Sequence, residues 1–110
     1  MKEIQFLVQG SAPQPYTVRF VKEEDRLSAY CTCPAGENGQ CCKHRLSLLA
    51  GDGEAVVSEN SYQLEVVTSW LRGTDLEKLL VELTEAEKSY DTAKQRLARA
   101  KQHVTQAMRN

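Results

Sequence analysis

Four candidate metal ligands lie close together in the first half of the chain. Cys31-Thr32-Cys33 is followed, after eight intervening residues, by Cys42-Lys43-His44. Thiolate sulfur and imidazole nitrogen are the donors that structural zinc prefers, usually four of them in a tetrahedron. The spacing therefore predicts one zinc site built within a short segment, and this constrains the fold more than any other feature of the sequence.

The segment that carries these residues is small for a self-sufficient hydrophobic core. Folds of about 50 residues usually need a metal or disulfides to stay folded. Zinc coordination supplies roughly 10–16 kcal/mol in small zinc-folded units, which is large beside the stability of such a fold. We therefore expect one structural Zn²⁺ to hold the N-terminal part of the chain together.

The spacing within each pair also predicts local structure. In an extended strand, residues two apart point to the same side, so Cys31 and Cys33 can face one ion from a strand end. On a helix, residues two apart face nearly opposite ways. We therefore expect Cys42 in the turn before a short helix and His44 in its first turn. Four protein ligands leave no position for water, so the site is predicted to be structural rather than catalytic.

Three alternatives stay open from the residues alone. The four cysteines could form two disulfides, although adjacent and next-but-one cysteines have poor geometry for bridging each other. A thiol redox role more commonly uses the spacing C-x-x-C. Cys41 could also replace Cys42 as the ligand, which would make the second pair C-x-x-H; otherwise its role is undefined.

The rest of the N-terminal half has alternating apolar residues, which is typical of strands. Such alternation occurs over residues 4–8, 16–21 and 27–31, with turn-forming residues between the runs. A short helix is predicted at about residues 43–50. The fold class is therefore predicted to be α+β: a zinc-stapled β-hairpin or meander plus a short helix (ββα), followed by further helices.

This pattern of ligands resembles the SWIM zinc finger, over roughly residues 15–51. The resemblance implies a β-hairpin that carries C-x-C and a helix that carries C-x-H, with Cys31, Cys33, Cys42 and His44 binding one zinc ion. Members include helicases, transposase-like proteins, ubiquitin ligases and recombination factors, and the module is thought to bind DNA or other proteins without catalysis of its own. The extra Cys41 and the long C-terminal segment depart from the motif.

Three regions are predicted: a zinc-binding domain at residues 1–53, a connector at 54–73, and a long amphipathic helix at 74–110. The connector is expected to contain a helix over 61–72, with a strand as the alternative for 63–68. Thr74 and Glu77 have the spacing of a helix capping box. No Gly or Pro occurs from Thr74 onwards. A helix of this length is a rod of about 50 Å.

Apolar residues recur every three and then four positions along this helix, as in a coiled coil. One column contains Leu76, Leu83, Tyr90, Leu97 and Val104, and the other contains Leu79, Ala86, Ala93, Ala100 and Ala107. Residues 75–91 carry six acidic and two basic side chains, whereas residues 92–110 carry five basic and no acidic ones. This order favours a homodimer with antiparallel helices. Packing on residues 61–72 of the same chain, or on another protein, is the alternative.

The net charge of −1 implies no general attraction to nucleic acid or membrane. The N-terminus lacks the apolar run of a signal peptide, and no stretch is long and apolar enough to span a bilayer, so a cytoplasmic protein is expected. No sequence motif of an enzyme is present. We therefore expect a non-enzymatic protein-interaction adaptor, and a DNA-processing complex is one setting in which it could act. The alternative is direct DNA binding through a set of basic residues: Arg19, Lys22, Lys43 and Arg45.

Overall fold

The chain folds as a small antiparallel sheet followed by helices, and the computed structural model describes residues 1–109. The strands β1 (Lys2–Val8), β2 (Tyr16–Glu23) and β3 (Arg26–Cys31) form one sheet in the order β1-β2-β3. The helices that follow are α1 (Pro34–Glu37), α2 (Lys43–Leu49), α3 (Leu64–Leu71) and α4 (Asp75–Arg109), with a 3₁₀ turn at Ser61–Gln63. The predicted α+β class is confirmed.

Alternation along the strands puts the apolar residues on one face of the sheet. Ile4 lies opposite Phe20 and Phe6 lies opposite Val18 in the register of β1 and β2. All four side chains are buried, and the rings of Phe6 and Phe20 meet edge to face with their centroids 6.1 Å apart. Burial of an aromatic or large aliphatic side chain contributes about 1.5–3 kcal/mol, so these strands supply much of the apolar core.

The hairpin between β2 and β3 turns within two residues. Glu23 pairs with Arg26, which leaves Glu24 and Asp25 at the tip. Glu24 has a φ of +55°, in the left-handed region that residues with a side chain seldom adopt. The turn-forming residues between the two strands predict this tip, but they do not predict the unusual backbone of Glu24.

The outer edge of β1 is covered by residues from the predicted connector. The N–H of Val57 donates to the carbonyl of Leu7 (2.8 Å), and the N–H of Gln9 donates to the carbonyl of Ala55 (2.9 Å). The Ser58 hydroxyl accepts the N–H of Leu7 (3.1 Å). An uncovered sheet edge offers unpaired backbone groups to other chains. This segment therefore does more than link two elements, because it closes one edge of the sheet.

Helices α2 and α3 complete the core. Leu48 and Leu49 of α2 and Leu64 and Val67 of α3 are buried. The structure has a helix rather than a strand over most of residues 63–68, as the periodicity predicted. By backbone contacts, residues 1–77 form one compact unit and a second unit begins at Lys78. Residues 54–73 thus lie inside the first unit.

The start of α4 satisfies half of the predicted capping box. The Thr74 hydroxyl accepts the N–H of Glu77 (3.3 Å), as expected. The Glu77 carboxylate instead accepts the N–H of Gly73 (3.1 Å), because the N–H of Thr74 already donates to the carbonyl of Leu71 (3.2 Å). Helix α4 has no buried residue, and every residue from 84 to 109 is exposed.

Among the helices of residues 1–109, none combines the length and the apolar character needed to cross a membrane.

Candidate metal centre

Four side chains from three consecutive elements converge at one end of the sheet. Cys31 is the last residue of β3, and Cys33 is the N-cap of α1. Cys42 is the N-cap of α2 in an extended conformation, and His44 is the second residue of that helix. The placement of Cys42 before the helix and of His44 in its first turn agrees with the expectation from the C-x-H spacing.

The ligand atoms of this group, which we call the Cys₃His cluster (Cys31, Cys33, Cys42 and His44), all lie within 4.8 Å of one another. The Sγ atoms of Cys33 and Cys42 are 3.3 Å apart. The Nδ1 atom of His44 is 3.5 Å from Sγ of Cys42 and 3.8 Å from Sγ of Cys31.

These distances are close to those of a tetrahedral zinc site. With Zn–S bonds of about 2.3 Å and Zn–N bonds of about 2.0 Å, the edges of a tetrahedron are about 3.8 Å between sulfurs and about 3.5 Å between sulfur and nitrogen. Nδ1 of His44 is the ring nitrogen that faces the sulfurs. The Cys₃His cluster is able to bind one zinc ion, and its four donors complete the coordination of a structural site.

Backbone N–H groups point at the sulfurs. The N–H of Cys33 donates to Sγ of Cys31 (3.5 Å), and the N–H of Gly36 donates to Sγ of Cys33 (3.3 Å). A Cβ atom at Gly36 would collide with the carbonyl oxygen of Cys31, so glycine permits this close approach. Hydrogen bonds to sulfur favour the charged thiolate, which is the form that binds metal.

The environment moves the thiol pKa values of the metal-free cluster apart. Burial alone would raise the pKa of Cys42, but the backbone N–H of Arg45 and hydrogen bonds within the cluster lower it to about 6. Burial raises the pKa of Cys31 to about 12, and the neighbouring Cys33 and Cys42 sulfurs add to this rise. At neutral pH, Cys42 is therefore a thiolate and Cys31 a thiol until a metal ion displaces the proton.

The remaining cysteine lies outside this group. Cys41 is exposed, whereas Cys31, Cys33 and Cys42 are buried, and all four are free of disulfides. The segment Pro34-Ala35-Gly36 is the start of the one-turn helix α1. Pro34 suits the first helical position because its fixed φ matches the helix and its missing N–H is not needed there.

Two groups of hydrogen bonds fix the backbone around the cluster. The Thr32 hydroxyl accepts the N–H of Thr17 (2.9 Å), and the N–H of Thr32 donates to the carbonyl of Thr17 (3.1 Å). The Arg45 guanidinium donates to the carbonyls of Ala29 (3.1 Å) and Gln40 (2.6 Å). The C-x-C pair is thus tied to β2, and the loop before Cys42 is tied to β3 through α2.

His44 has a second set of neighbours that the sequence did not indicate. The ring of Tyr16 packs against its ring with a centroid distance of 5.2 Å. Its Nε2 atom is buried and has no hydrogen-bond partner within residues 1–109. A Cβ atom at Gly10 would lie 2.5 Å from the Tyr16 ring and 3.1 Å from this nitrogen. Gly10 and Tyr16 are far from His44 in sequence, so no local pattern signals the contact.

The structure separates the basic residues considered for nucleic-acid binding. Arg19 forms an ion pair with Glu3 (2.8 Å), stacks over the Tyr30 ring at 4.5 Å, and lowers the pKa of the Glu3 carboxyl by hydrogen bonding to it. The Nζ atom of Lys22 donates to the carbonyl of Trp70 (3.2 Å).

By strand alternation, Arg19 and Lys22 lie on opposite faces of the sheet. Arg45 binds two backbone carbonyls, as described above, whereas Lys43 is exposed. These four residues therefore do not form one continuous basic surface.

Comparison with protein families identifies the part of the chain that carries the cluster. Residues 6–50 match the family model of the SWIM zinc finger. This range begins within β1 and ends after α2, so it includes the end of β1, all of β2 and β3, and the Cys₃His cluster. The search of curated proteins gave no match. Nor did the search of solved structures.

Proposed function

From the premise that residues 6–50 are a SWIM zinc finger, we propose that this protein is a non-enzymatic adaptor whose zinc-stabilised module binds another protein. SWIM zinc fingers are binding modules. The four members of the Cys₃His cluster are the proposed ligands, and their closed coordination sphere suits a structural rather than a catalytic role. A reducing cytoplasm is the compartment that suits four free cysteines.

One observation carries the choice of a protein partner: three of the four candidate phosphate-binding cations are already engaged within the chain. Arg19, Lys22 and Arg45 each use their charged group for an internal ion pair or hydrogen bond. Phosphate recognition would have to replace these interactions. The near-neutral net charge adds no compensating attraction.

The first compact unit also exposes apolar side chains of the kind that protein interfaces use. Tyr62 is 75% exposed and Val66, one helical turn later, is 42% exposed. An open groove of about 440 Å³ lies beside Tyr62 and is also lined by Gly51 and Thr68. Tyrosine is enriched among the residues that dominate binding energy at interfaces.

The alternative function is direct DNA binding through Arg19, Lys22, Lys43 and Arg45, and a titration of labelled oligonucleotides separates the two. Phosphate contacts make affinity fall steeply between about 50 mM and about 200 mM salt. The adaptor function predicts weak binding to both duplex and single strands at the higher concentration. Tight binding with a steep salt dependence would instead establish the nucleic-acid function, provided that Lys43→Ala weakens the binding and lowers the salt slope by about one.

A defined partner gives the positive test. A protein that co-purifies with the zinc-loaded chain should be crosslinked, identified and then titrated as a purified component. We expect Tyr62→Ala to weaken its binding at least tenfold and the exposed control Glu59→Gln to leave it unchanged. Equal affinity of both variants would show that this part of the surface is not the contact.

A further inference from the structure

Helix α4 presents an apolar stripe that is exposed along most of its length. Tyr90 is 65% exposed, and Leu97 and Val104 are each 56% exposed. These three residues belong to the column of large side chains that recurs every seven positions through the helix. An exposed helix with a sustained heptad stripe lacks the partner against which the stripe would be buried.

We propose that the partner is the same stripe of a second copy of this chain, with the two α4 helices antiparallel and overlapping along their whole length. Three features of the helix support this arrangement: the sizes of the side chains in the two columns, the full overlap of the two helices in one register, and the distribution of charge.

The columns are complementary in size only when the helices run in opposite directions. One column is large, and the other is alanine at four of its five positions. In an antiparallel pair, each layer combines a residue of one column with a residue of the other. A parallel pair would place large residues against large ones and alanines against alanines in alternate layers. A single interhelical distance cannot pack both kinds of layer well.

One register gives every residue of the two columns a partner, and every layer except the two that pair Leu79 with Val104 combines a large residue with alanine. Aligning Tyr90 with Ala93 of the second copy gives the following pairs: Leu76 with Ala107, Leu79 with Val104, Leu83 with Ala100, and Leu97 with Ala86. The same alignment sets the two ends of α4, which spans Asp75–Arg109, almost level with each other. If one helix is shifted by one heptad along the other, Val104 loses its partner for a shift in one direction. A shift in the other direction leaves Leu76 and Leu79 without partners. Size matching thus requires antiparallel helices, and full overlap selects this alignment among the antiparallel registers.

Charge selects the same direction. In this register, Glu87 lies near Lys94 of the second copy, and Glu82 lies near His103. A parallel pair would instead place Glu82 beside Glu87, and Arg96 beside Lys101. Exposed pairs contribute little each, but they discriminate between directions because every pair occurs twice in the dimer.

Sedimentation equilibrium of the zinc-loaded full chain at tens of micromolar tests the proposal. We expect a dimer. Val104→Ala should weaken it at least tenfold, because each copy loses apolar contact in a buried layer. The matched control is Val81→Ala, since Val81 is equally exposed (55%) but lies on the opposite side of the helix from the stripe. This control should leave the dissociation constant within about twofold.

A charge exchange tests direction. In the antiparallel pair, Glu87→Lys faces Lys94 and should weaken the dimer several-fold, as should Lys94→Glu, while the double variant should restore it. In a parallel pair, Glu87→Lys would relieve repulsion by Glu82 and strengthen the dimer. Circular dichroism of each variant checks that α4 remains helical.

A monomer at these concentrations would overturn the proposal. So would a dimer that Glu87→Lys strengthens, or one that Val81→Ala and Val104→Ala weaken equally. Assembly only after addition of a different protein would assign the stripe to a heteromeric partner and also refute the homodimer. None of these outcomes depends on what the zinc finger binds.

Discussion

The ring of Tyr16 lies 5.2 Å from the ring of His44, tilted by 48°. Gly10 leaves room for this packing, because a Cβ atom at that position would be 2.5 Å from the Tyr16 ring. Tyr16 therefore holds the imidazole in the orientation that directs Nδ1 at the sulfurs. Outer contacts of this kind set the position of a metal-binding histidine and thereby the affinity of the site.

Gly10→Ala is expected to weaken zinc binding by roughly tenfold, because the added methyl group displaces Tyr16 and reaches the His44 ring. Competition with a chromophoric chelator measures the affinity. Ser11→Ala, in the same loop but exposed, is the matched control and should bind zinc as the natural chain does. Equal affinities for the two variants would show that Tyr16 does not position the histidine.

Loss of a buried cysteine should unfold the zinc module, whereas loss of the exposed cysteine should not. Cys33→Ser removes one of four donors from a fold in which zinc supplies roughly 10–16 kcal/mol, so we expect loss of bound zinc and of the fixed environment of Phe6 and Phe20. Elemental analysis and near-ultraviolet circular dichroism measure these changes.

Cys41→Ser serves as the control for that substitution, since Cys41 is exposed and outside the cluster. It should retain one zinc ion per chain. If zinc were lost from Cys41→Ser and kept in Cys42→Ser, Cys41 would be the ligand and the second pair would be C-x-x-H.

The convergence of the four metal ligands could be predicted from the sequence because it depends on local backbone geometry. Cys31 ends a strand and Cys33 follows two residues later in extended backbone, while Cys42 and His44 lie at the start of a helix, so four residues in one short segment define the cluster. The surroundings of the cluster could not be predicted in this way. The contact of Tyr16 with His44 exists only once the sheet has brought distant segments together.

Arg45 shows the same limit for charged residues. In the sequence it is one basic residue among several and was considered for phosphate binding. Its actual partners are the carbonyls of Ala29 and Gln40, whose positions depend on the folded loop. The capping box of α4 differs from its predicted form in one hydrogen bond. The Glu77 carboxylate accepts the N–H of Gly73, because the N–H of Thr74 donates to the carbonyl of Leu71.

Arg45→Met is expected to destabilise the zinc module by about 1–3 kcal/mol, because the half-buried carbonyl of Ala29 and the exposed carbonyl of Gln40 both lose a charged donor. Lys43→Met is the matched control, since Lys43 is exposed and neighbours the same site. Chemical denaturation of the zinc-loaded chain measures the difference. If Arg45→Met were as stable as Lys43→Met, the two hydrogen bonds would contribute nothing to stability.

Zinc affinity should fall as pH falls, because protons compete for the sulfurs. At pH 7, Cys31, with a pKa of about 12, must release a proton on binding, whereas Cys42, with a pKa of about 6, is already a thiolate. Below pH 6, Cys42 also binds a proton, so each further drop in pH should reduce affinity more steeply. Calorimetry in buffers of different ionisation enthalpy counts the released protons. A proton count that does not rise between pH 7 and pH 5 would contradict the low pKa of Cys42.

The tip of the β2–β3 hairpin offers a stabilising substitution. Glu24 has a φ of +55°, which costs a residue with a Cβ atom about 1 kcal/mol and costs glycine almost nothing. Glu24→Gly should therefore raise the free energy of unfolding by a net value of about 0.5 kcal/mol, because the strain that it relieves exceeds the extra entropy that glycine loses on folding. Glu24→Ala keeps the Cβ atom and removes the charge, so it should give no such gain in denaturant titrations. If both variants gained equally, the repulsion among the acidic residues at the tip, rather than the backbone, would be the source of the strain.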